Sequence, residues 1–241
     1  MQRIALVTGA SRRVGAGIAR QLHAGGYAIA LHCRRSTSEA VALAAAFEDA
    51  RTGSSSVHVA DLAEPAAAAT LVTEVIAHWG RLDLLVNNAA TFEETPLAAA
   101  DALAFDRIID INLRAPYLLA RAAAAALRAA GGAIVNLVDV YAERPKVAHA
   151  IYCSSKAGLV GLTKALARDL APAVRVNAVA PGAILWPEQG DAGEQAAVLA
   201  RIPLARCGSV EDVAGAVCYL AGAQYVTGQV LAVDGGRSIY D

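Results

Sequence analysis

A chain of 241 residues that is 56% hydrophobic and only 18% charged can bury a large core, which excludes a disordered or solvating polymer. Lys and Arg number 21 against 22 Asp and Glu, a net charge of −1, so there is no global basic field to bind a nucleic-acid backbone. The cysteines Cys33, Cys153, Cys207 and Cys218 form no CxxC pair and have no His partner at zinc spacing, which predicts buried free thiols and no metal site. Met1 to Thr8 carries no basic and apolar leader, and no uncharged apolar run nears the roughly 18 to 20 residues of a membrane span. The expectation is a cytoplasmic protein with no membrane or nucleic-acid partner.

Short runs rich in Val, Ile and Leu alternate with longer Ala-rich stretches along the whole chain. In chain order the pattern predicts a strand at Arg3–Thr8, a helix near Val14–Ala24, a strand at Ala28–Cys33 and a helix near Glu39–Ala50. A strand at Ser56–Ala60, a helix near Pro65–Trp79, a strand at Leu82–Asn87 and a long helix near Leu103–Ala130 follow. The second half predicts strands at Ala133–Val138, Val174–Ala178 and Gln229–Val233, with helices near Tyr152–Leu170 and Val210–Ala221. Asp191 to Ala197 is weakly patterned beside Trp186, Pro187 and Gly190, and reads as a mobile loop or short helix over a site. Such alternation predicts a single α/β domain over residues 1–241. Its core is a doubly wound, seven-stranded parallel sheet with helices on both faces.

The first strand runs into Thr8-Gly9-Ala10-Ser11-Arg12-Arg13-Val14-Gly15 and then a helix. A glycine turn between strand and helix aims backbone N–H groups and the positive end of the helix dipole at a pyrophosphate. The second strand ends at Cys33, where NAD-binding Rossmann proteins carry an acidic residue for the adenosine 2′-hydroxyl; here Arg34, Arg35 and Ser36 follow. Two guanidiniums and a hydroxyl suit a 2′-phosphate, so the expected cofactor is NADP(H).

Tyr152 and Lys156 lie four apart at the start of a helical pattern and share one face. An ammonium beside a phenol favours the phenolate, which predicts a lowered tyrosine pKa and an acid or base usable at working pH. Asn87-Asn88-Ala89 and Asn112 are the polar groups expected nearby.

In these motifs and their order the whole chain resembles the short-chain dehydrogenase/reductase family. The resemblance implies that the turn carrying Gly9, Arg13 and Val14 holds the cofactor, that Asp61 and Leu62 contact its adenine, and that Asn88 and Ala89 support the nicotinamide site. It implies that Asn112 positions a proton-relay water, that Tyr152 and Lys156 are the acid/base pair, and that Pro181 and Gly182 line the nicotinamide. Val233-Asp234-Gly235-Gly236 resembles the family's C-terminal signature. It also implies a homotetramer assembled through the helices near Leu103–Ala130 and Tyr152–Leu170.

Arg13 and Asp139 depart from the family pattern, which has glycine and serine there. A serine hydroxyl stabilises the oxyanion of a carbonyl being reduced, whereas a carboxylate repels it and suits a C=N group that gains a proton as hydride arrives. With His32-Cys33-Arg34-Arg35-Ser36, Phe92, Tyr152 and Lys156, these departures resemble the pteridine reductases. That resemblance implies NADPH-dependent reduction of dihydropterins or dihydrofolates. In it Arg13 and Phe92 contact a pterin, Asp139, Tyr152 and Lys156 deliver protons, and Trp186 is a candidate wall for its side chain. Ala90 departs from the subgroup's serine and leaves the preferred pterin open. A reductase of other carbonyls or imines and a non-catalytic NADP(H) sensor are the competing readings; intact Tyr152, Lys156 and Asn112 argue against the sensor.

Replacing Arg34 and Arg35 together by alanine is expected to narrow the NADPH-over-NADH preference at least tenfold, about 1.4 kcal/mol. Dissociation constants for the two nucleotides check this, and an unchanged ratio refutes it.

Overall fold

The computed structural model describes residues 2–186 and 192–239. Residues along a strand alternate faces, and the first strand shows the result: in β1 (Arg3–Val7) Ile4 and Leu6 enter one core while Ala5 and Val7 enter another. β2 (Tyr27–Cys33), β3 (Ser55–Val59), β4 (Leu84–Asn87), β5 (Ala133–Leu137), β6 (Arg175–Pro181) and β7 (Val230–Val233) complete the sheet. All pair in parallel, in the order β3-β2-β1-β4-β5-β6-β7. Strand order reverses between β1 and β4, so a crevice opens beyond their carboxyl ends.

α1 (Arg13–Ala24), α2 (Thr37–Ala50) and α8 (Val210–Gly222) cover one face, burying Ile18, Leu22, Leu43, Phe47, Val213 and Val217 against Ile29, Leu31, Val86 and Val135. Small residues let these helices approach closely: a Cβ on Gly17 would stand 2.0 Å from Val210 Cγ1. α3 (Pro65–Trp79), α5 (Ala115–Ala130) and α6 (Ala150–Leu170) cover the other, with Leu71, Val75, Leu119, Leu127 and Leu166 against Leu85, Ile134 and Val176.

The helix expected over Leu103–Ala130 is in fact broken. α4 (Ala102–Ile109) passes into a π turn at Asp110–Arg114 before α5 begins. Pro116 has no N–H to give the Asn112 carbonyl, and the Ala115 N–H reaches back to the Asp110 carbonyl instead, widening the turn. β6 runs on to Pro181, beyond its expected end at Ala178, and Cys207 and Cys218 are only half-buried rather than buried. α7 (Ala192–Leu199) is the helical alternative for the weakly patterned stretch, while Pro187, Gly190 and Asp191 lie outside the described residues. No described helix is long and apolar enough to cross a membrane.

A polar thread crosses the buried centre. Asn87 Nδ2 donates to Asn136 Oδ1 at 2.8 Å, Asn136 Nδ2 to Thr163 Oγ1 at 2.9 Å, and Thr163 Oγ1 to the Leu159 carbonyl at 2.7 Å. It ties β4 and β5 to α6, the helix that carries Tyr152 and Lys156. Asn136→Ala takes the acceptor from buried Asn87 Nδ2, while Thr163 Oγ1 keeps its bond to the Leu159 carbonyl, and is expected to cost about 1–3 kcal/mol of stability. Urea unfolding at fixed protein concentration measures it; a midpoint equal to the parent's contradicts the expectation.

Candidate active site

Two cavities open at the carboxyl ends of the strands and share Arg13, Val14 and Asn88 on their walls. The first, about 640 Å³, lies over the turn between β1 and α1 and reaches the end of β2. Gly9 has φ +62° there, and a Cβ on Gly15 would stand 2.1 Å from the Gly9 carbonyl oxygen, so the turn closes only with glycine at Gly15. Thr8 Oγ1 accepts the N–H groups of Asn88 and Ala89 at 2.9 and 3.0 Å, while Asn88 Nδ2 donates to the Thr8 and Gly9 carbonyls at 2.8 and 3.1 Å.

Arg12 and Ser36, the N-cap residues of α1 and α2, make no side-chain capping bond, and both line this cavity. Two helix N-termini therefore offer free N–H groups and partial positive charge to anions. Exposed Arg34 and Arg35 stand beside Ser36, with Arg34 3.8 Å from Asp61; Asp61, Leu62 and Ala89 complete the wall. This donor set fits a dinucleotide carrying a 2′-phosphate. Arg13 has φ +52°, a left-handed conformation that costs a residue with a side chain about 1–2 kcal/mol, and it lies where the two cavities meet.

The second cavity, about 440 Å³, holds the titratable groups. Asp139 leaves β5 and caps a 3-10 turn, Val140–Ala142: its Oδ1 accepts the Tyr141 N–H at 2.9 Å and its Oδ2 accepts from Tyr152 Oη at 2.8 Å. Lys156, one helical turn after Tyr152, is buried and donates Nζ to the Leu137 carbonyl at 2.7 Å. Asn112 sits in the π turn, where its Nδ2 donates to the Thr91 carbonyl and to Ser155 Oγ, both at 3.0 Å. Ser155 Oγ in turn donates to the Tyr152 carbonyl at 2.6 Å. Phe92 is 51% exposed; one face stacks on His149 at 4.6 Å between centroids, and Tyr152 meets it edge-on at 4.7 Å. Trp186, Pro181 and Gly182 line the same space.

Electrostatics here differ from the sequence expectation in one respect. Burial and then the Asp139 carboxylate push the Tyr152 hydroxyl above the ordinary phenol range, so Tyr152 is a neutral donor rather than a phenolate lowered by Lys156. The lysine's Nζ lies 5.8 Å from the Tyr152 ring centroid and spends a hydrogen bond on a backbone carbonyl. Burial also raises the Asp139 carboxyl, opposed by the Tyr141 N–H, the Tyr152 hydroxyl and the charges of Lys156 and Arg237. Lys156 itself is pushed down by burial to about 8.

Sequence reasoning named His32 only as part of the basic segment at the end of β2, and it missed Tyr141 and Arg237. His32 Nδ1 accepts the Gly9 N–H at 3.2 Å and Nε2 faces the Ala60 carbonyl at 3.1 Å, a pair of partners that fixes a neutral ring, and burial lowers its pKa accordingly. Tyr141 and Arg237 reach the second cavity, joined by a 3.2 Å hydrogen bond from Arg237 Nη2 to Tyr141 Oη across 96 positions of chain. The neighbouring Val233 to Gly236 motif was the only signal near Arg237.

Comparison with known proteins agrees with this architecture. A family profile described as enoyl-(acyl carrier protein) reductase matches residues 9–238. The chain is 35% identical to pteridine reductase 1 of Leishmania tarentolae, with 98% of this chain and 96% of that protein covered. It is 40% identical to the granaticin polyketide synthase putative ketoacyl reductase 2 of Streptomyces violaceoruber, with 98% and 96% covered. It is 37% identical to a 3-oxoacyl-(acyl-carrier-protein) reductase of Staphylococcus aureus, with 98% of each covered. A blue fluorescent protein from a metagenomic library, solved in complex with NADPH, superposes with a TM-score of 0.92 at 38% identity, with 98% of this chain and 97% of that one covered. The chain belongs to the short-chain dehydrogenase/reductase family of oxidoreductases.

A buried lysine titrating near 8 makes stability depend on pH with a definite sign. Below about 8 Lys156 is charged in both states and the full burial penalty is present; between about 8 and the unfolded value of 10.5 the unfolded chain binds more protons, so stability rises with pH. Lys156→Met removes this dependence. Its stability relative to the parent is expected to fall by about 2 kcal/mol between pH 7 and 9.5, as read by urea unfolding, and a constant difference refutes it.

Proposed function

We propose that this oxidoreductase is an NADPH-dependent reductase of pterins, converting a dihydropterin or dihydrofolate to its tetrahydro form. The reading rests on the carboxylate of Asp139, hydrogen-bonded to Tyr152 Oη at 2.8 Å in the cavity that Phe92 and Arg13 also line. NADPH, held by the uncapped starts of α1 and α2 with Gly9, Arg13, Val14, Arg34, Arg35, Ser36, Asp61, Leu62, Asn88, Ala89, Pro181 and Gly182, would supply the hydride.

The protein's own residues handle the proton. A C=N bond reduced at carbon leaves its electron pair on nitrogen, which takes a proton. Tyr152, kept neutral by burial and by Asp139, is the donor in position to give one. Asp139 holds the hydroxyl in place, and its negative charge stabilises positive character developing on the ring, where it would oppose an oxyanion. Lys156 brings a second charge to the pair, and Asn112 secures the backbone beneath Tyr152 through Ser155. Phe92 offers an aromatic face to a flat heterocycle, worth roughly 0.5–1.5 kcal/mol beyond area burial.

The ketoacyl reductase relatives at 40% and 37% identity favour a second reading, reduction of a ketone. Exposed Leu103, Phe105 and Tyr117 on α4 and α5 are consistent with that face being covered in a homotetramer.

The discriminating experiment follows NADPH oxidation with dihydrobiopterin, dihydrofolate and a 3-oxoacyl thioester. Turnover of the pterins is expected, and turnover of the thioester alone overturns the reading. Tyr152→Phe should lower kcat at least 100-fold with NADPH affinity held within a few-fold. Parallel loss of NADPH binding would make the tyrosine a cofactor support instead.

A further inference from the structure

Beyond the residues that serve proton transfer, the second cavity is basic. Its described wall carries the cations Arg13, Lys146, Lys156 and Arg237 against one carboxylate, Asp139. Lys156 and Asp139 belong to the reacting end, and Arg13 lies at the junction with the first cavity. Lys146 and Arg237 are left over. Both are half-buried, and among the described residues neither lies within ion-pair distance of a carboxylate.

Each cation is instead held over an aromatic ring. Lys146 Nζ stands 5.3 Å from the Phe92 ring centroid, and Arg237 Cζ stands 5.2 Å from that of Tyr141. The two rings are themselves close to parallel, 15° apart with centroids 6.5 Å from each other. Cation–π contact only partly replaces the hydration a cation loses on burial, so two such groups in one wall leave charge to be matched by a ligand. A guanidinium with one donor committed to Tyr141 Oη still has the others to offer, in the fork geometry that grips carboxylates.

We propose that Arg237 and Lys146 form a carboxylate subsite at the Phe92 and Tyr141 end of the cavity, selecting substrates that join a flat ring to an anionic tail. The inference rests on the pterin reading and names within it the folate-like substrates, whose tail bears carboxylates, over pterins with neutral hydroxylated tails. The latter leave both cations unmatched.

Titration calorimetry with NADP+ saturating tests it, using dihydrofolate, its dimethyl ester with both tail carboxylates neutralised, and dihydrobiopterin. The parent is expected to bind the acid at least tenfold more tightly than the ester, and Arg237→Met to cut that ratio below threefold. Lys146→Met should reduce the ratio by a smaller factor. If Arg237→Met fails to fold, Arg237→Lys keeps the charge, removes the fork and is read by the same ratio, which should fall. Equal affinity for acid and ester in the parent overturns the subsite, as does a ratio that every variant preserves. If NADP+ binds and none of the three ligands does, the pterin reading fails, and the subsite fails with it.

Discussion

The hydrogen bonds that join Thr8 and Gly9 to Asn88 and Ala89 hold the sheet together at the point where strand order reverses. Parallel strands that diverge to either side of β1 and β4 leave a gap above that seam, and both cavities occupy it with Asn88 as common wall. Close approach is the condition for the seam. Gly15 packs where a Cβ would meet the Gly9 carbonyl, and His32 clamps the Gly9 N–H from the neighbouring strand. Anion-binding N–H groups and the reacting side chains are thereby set on opposite sides of one short stretch of backbone.

At the reacting end, burial decides more than charge pairing does. Tyr152 and Lys156 share a helical face, yet the low-dielectric wall and the adjoining Asp139 keep the phenol protonated while the ammonium is weakened. The result is a donor hydroxyl aimed at a carboxylate. It is this arrangement on which the proposed protonation of a ring nitrogen rests. Arg13 has a backbone in a left-handed conformation that glycine would adopt freely, and it lines both cavities.

Much of this was legible in the chain itself, for identifiable reasons. The alternation of β-branched runs with alanine-rich stretches encodes a parallel sheet covered on both faces, since each strand must bury both sides. Local motifs such as Thr8 to Gly15, Arg34 to Ser36, and Tyr152 with Lys156 carry their geometry in spacing alone, because each sits on a single turn or helix start. The π turn was hidden because the apolar spacing of Leu103 to Ala130 continues through it; only the missing N–H of Pro116, taken with the Ala115 bond to Asp110, marks the break.

Sequence alone therefore determined the doubly wound parallel fold class and singled out the glycine turn, the Arg34 to Ser36 segment and the Tyr152 and Lys156 pair on which the proposed function draws, all of which are read from neighbours a few residues apart. Tertiary structure decided the protonation of Tyr152, the tautomer of His32 and the arrival of Arg237 beside Tyr141. Those depend on desolvation and on contacts between distant segments, quantities that exist only once the chain has packed.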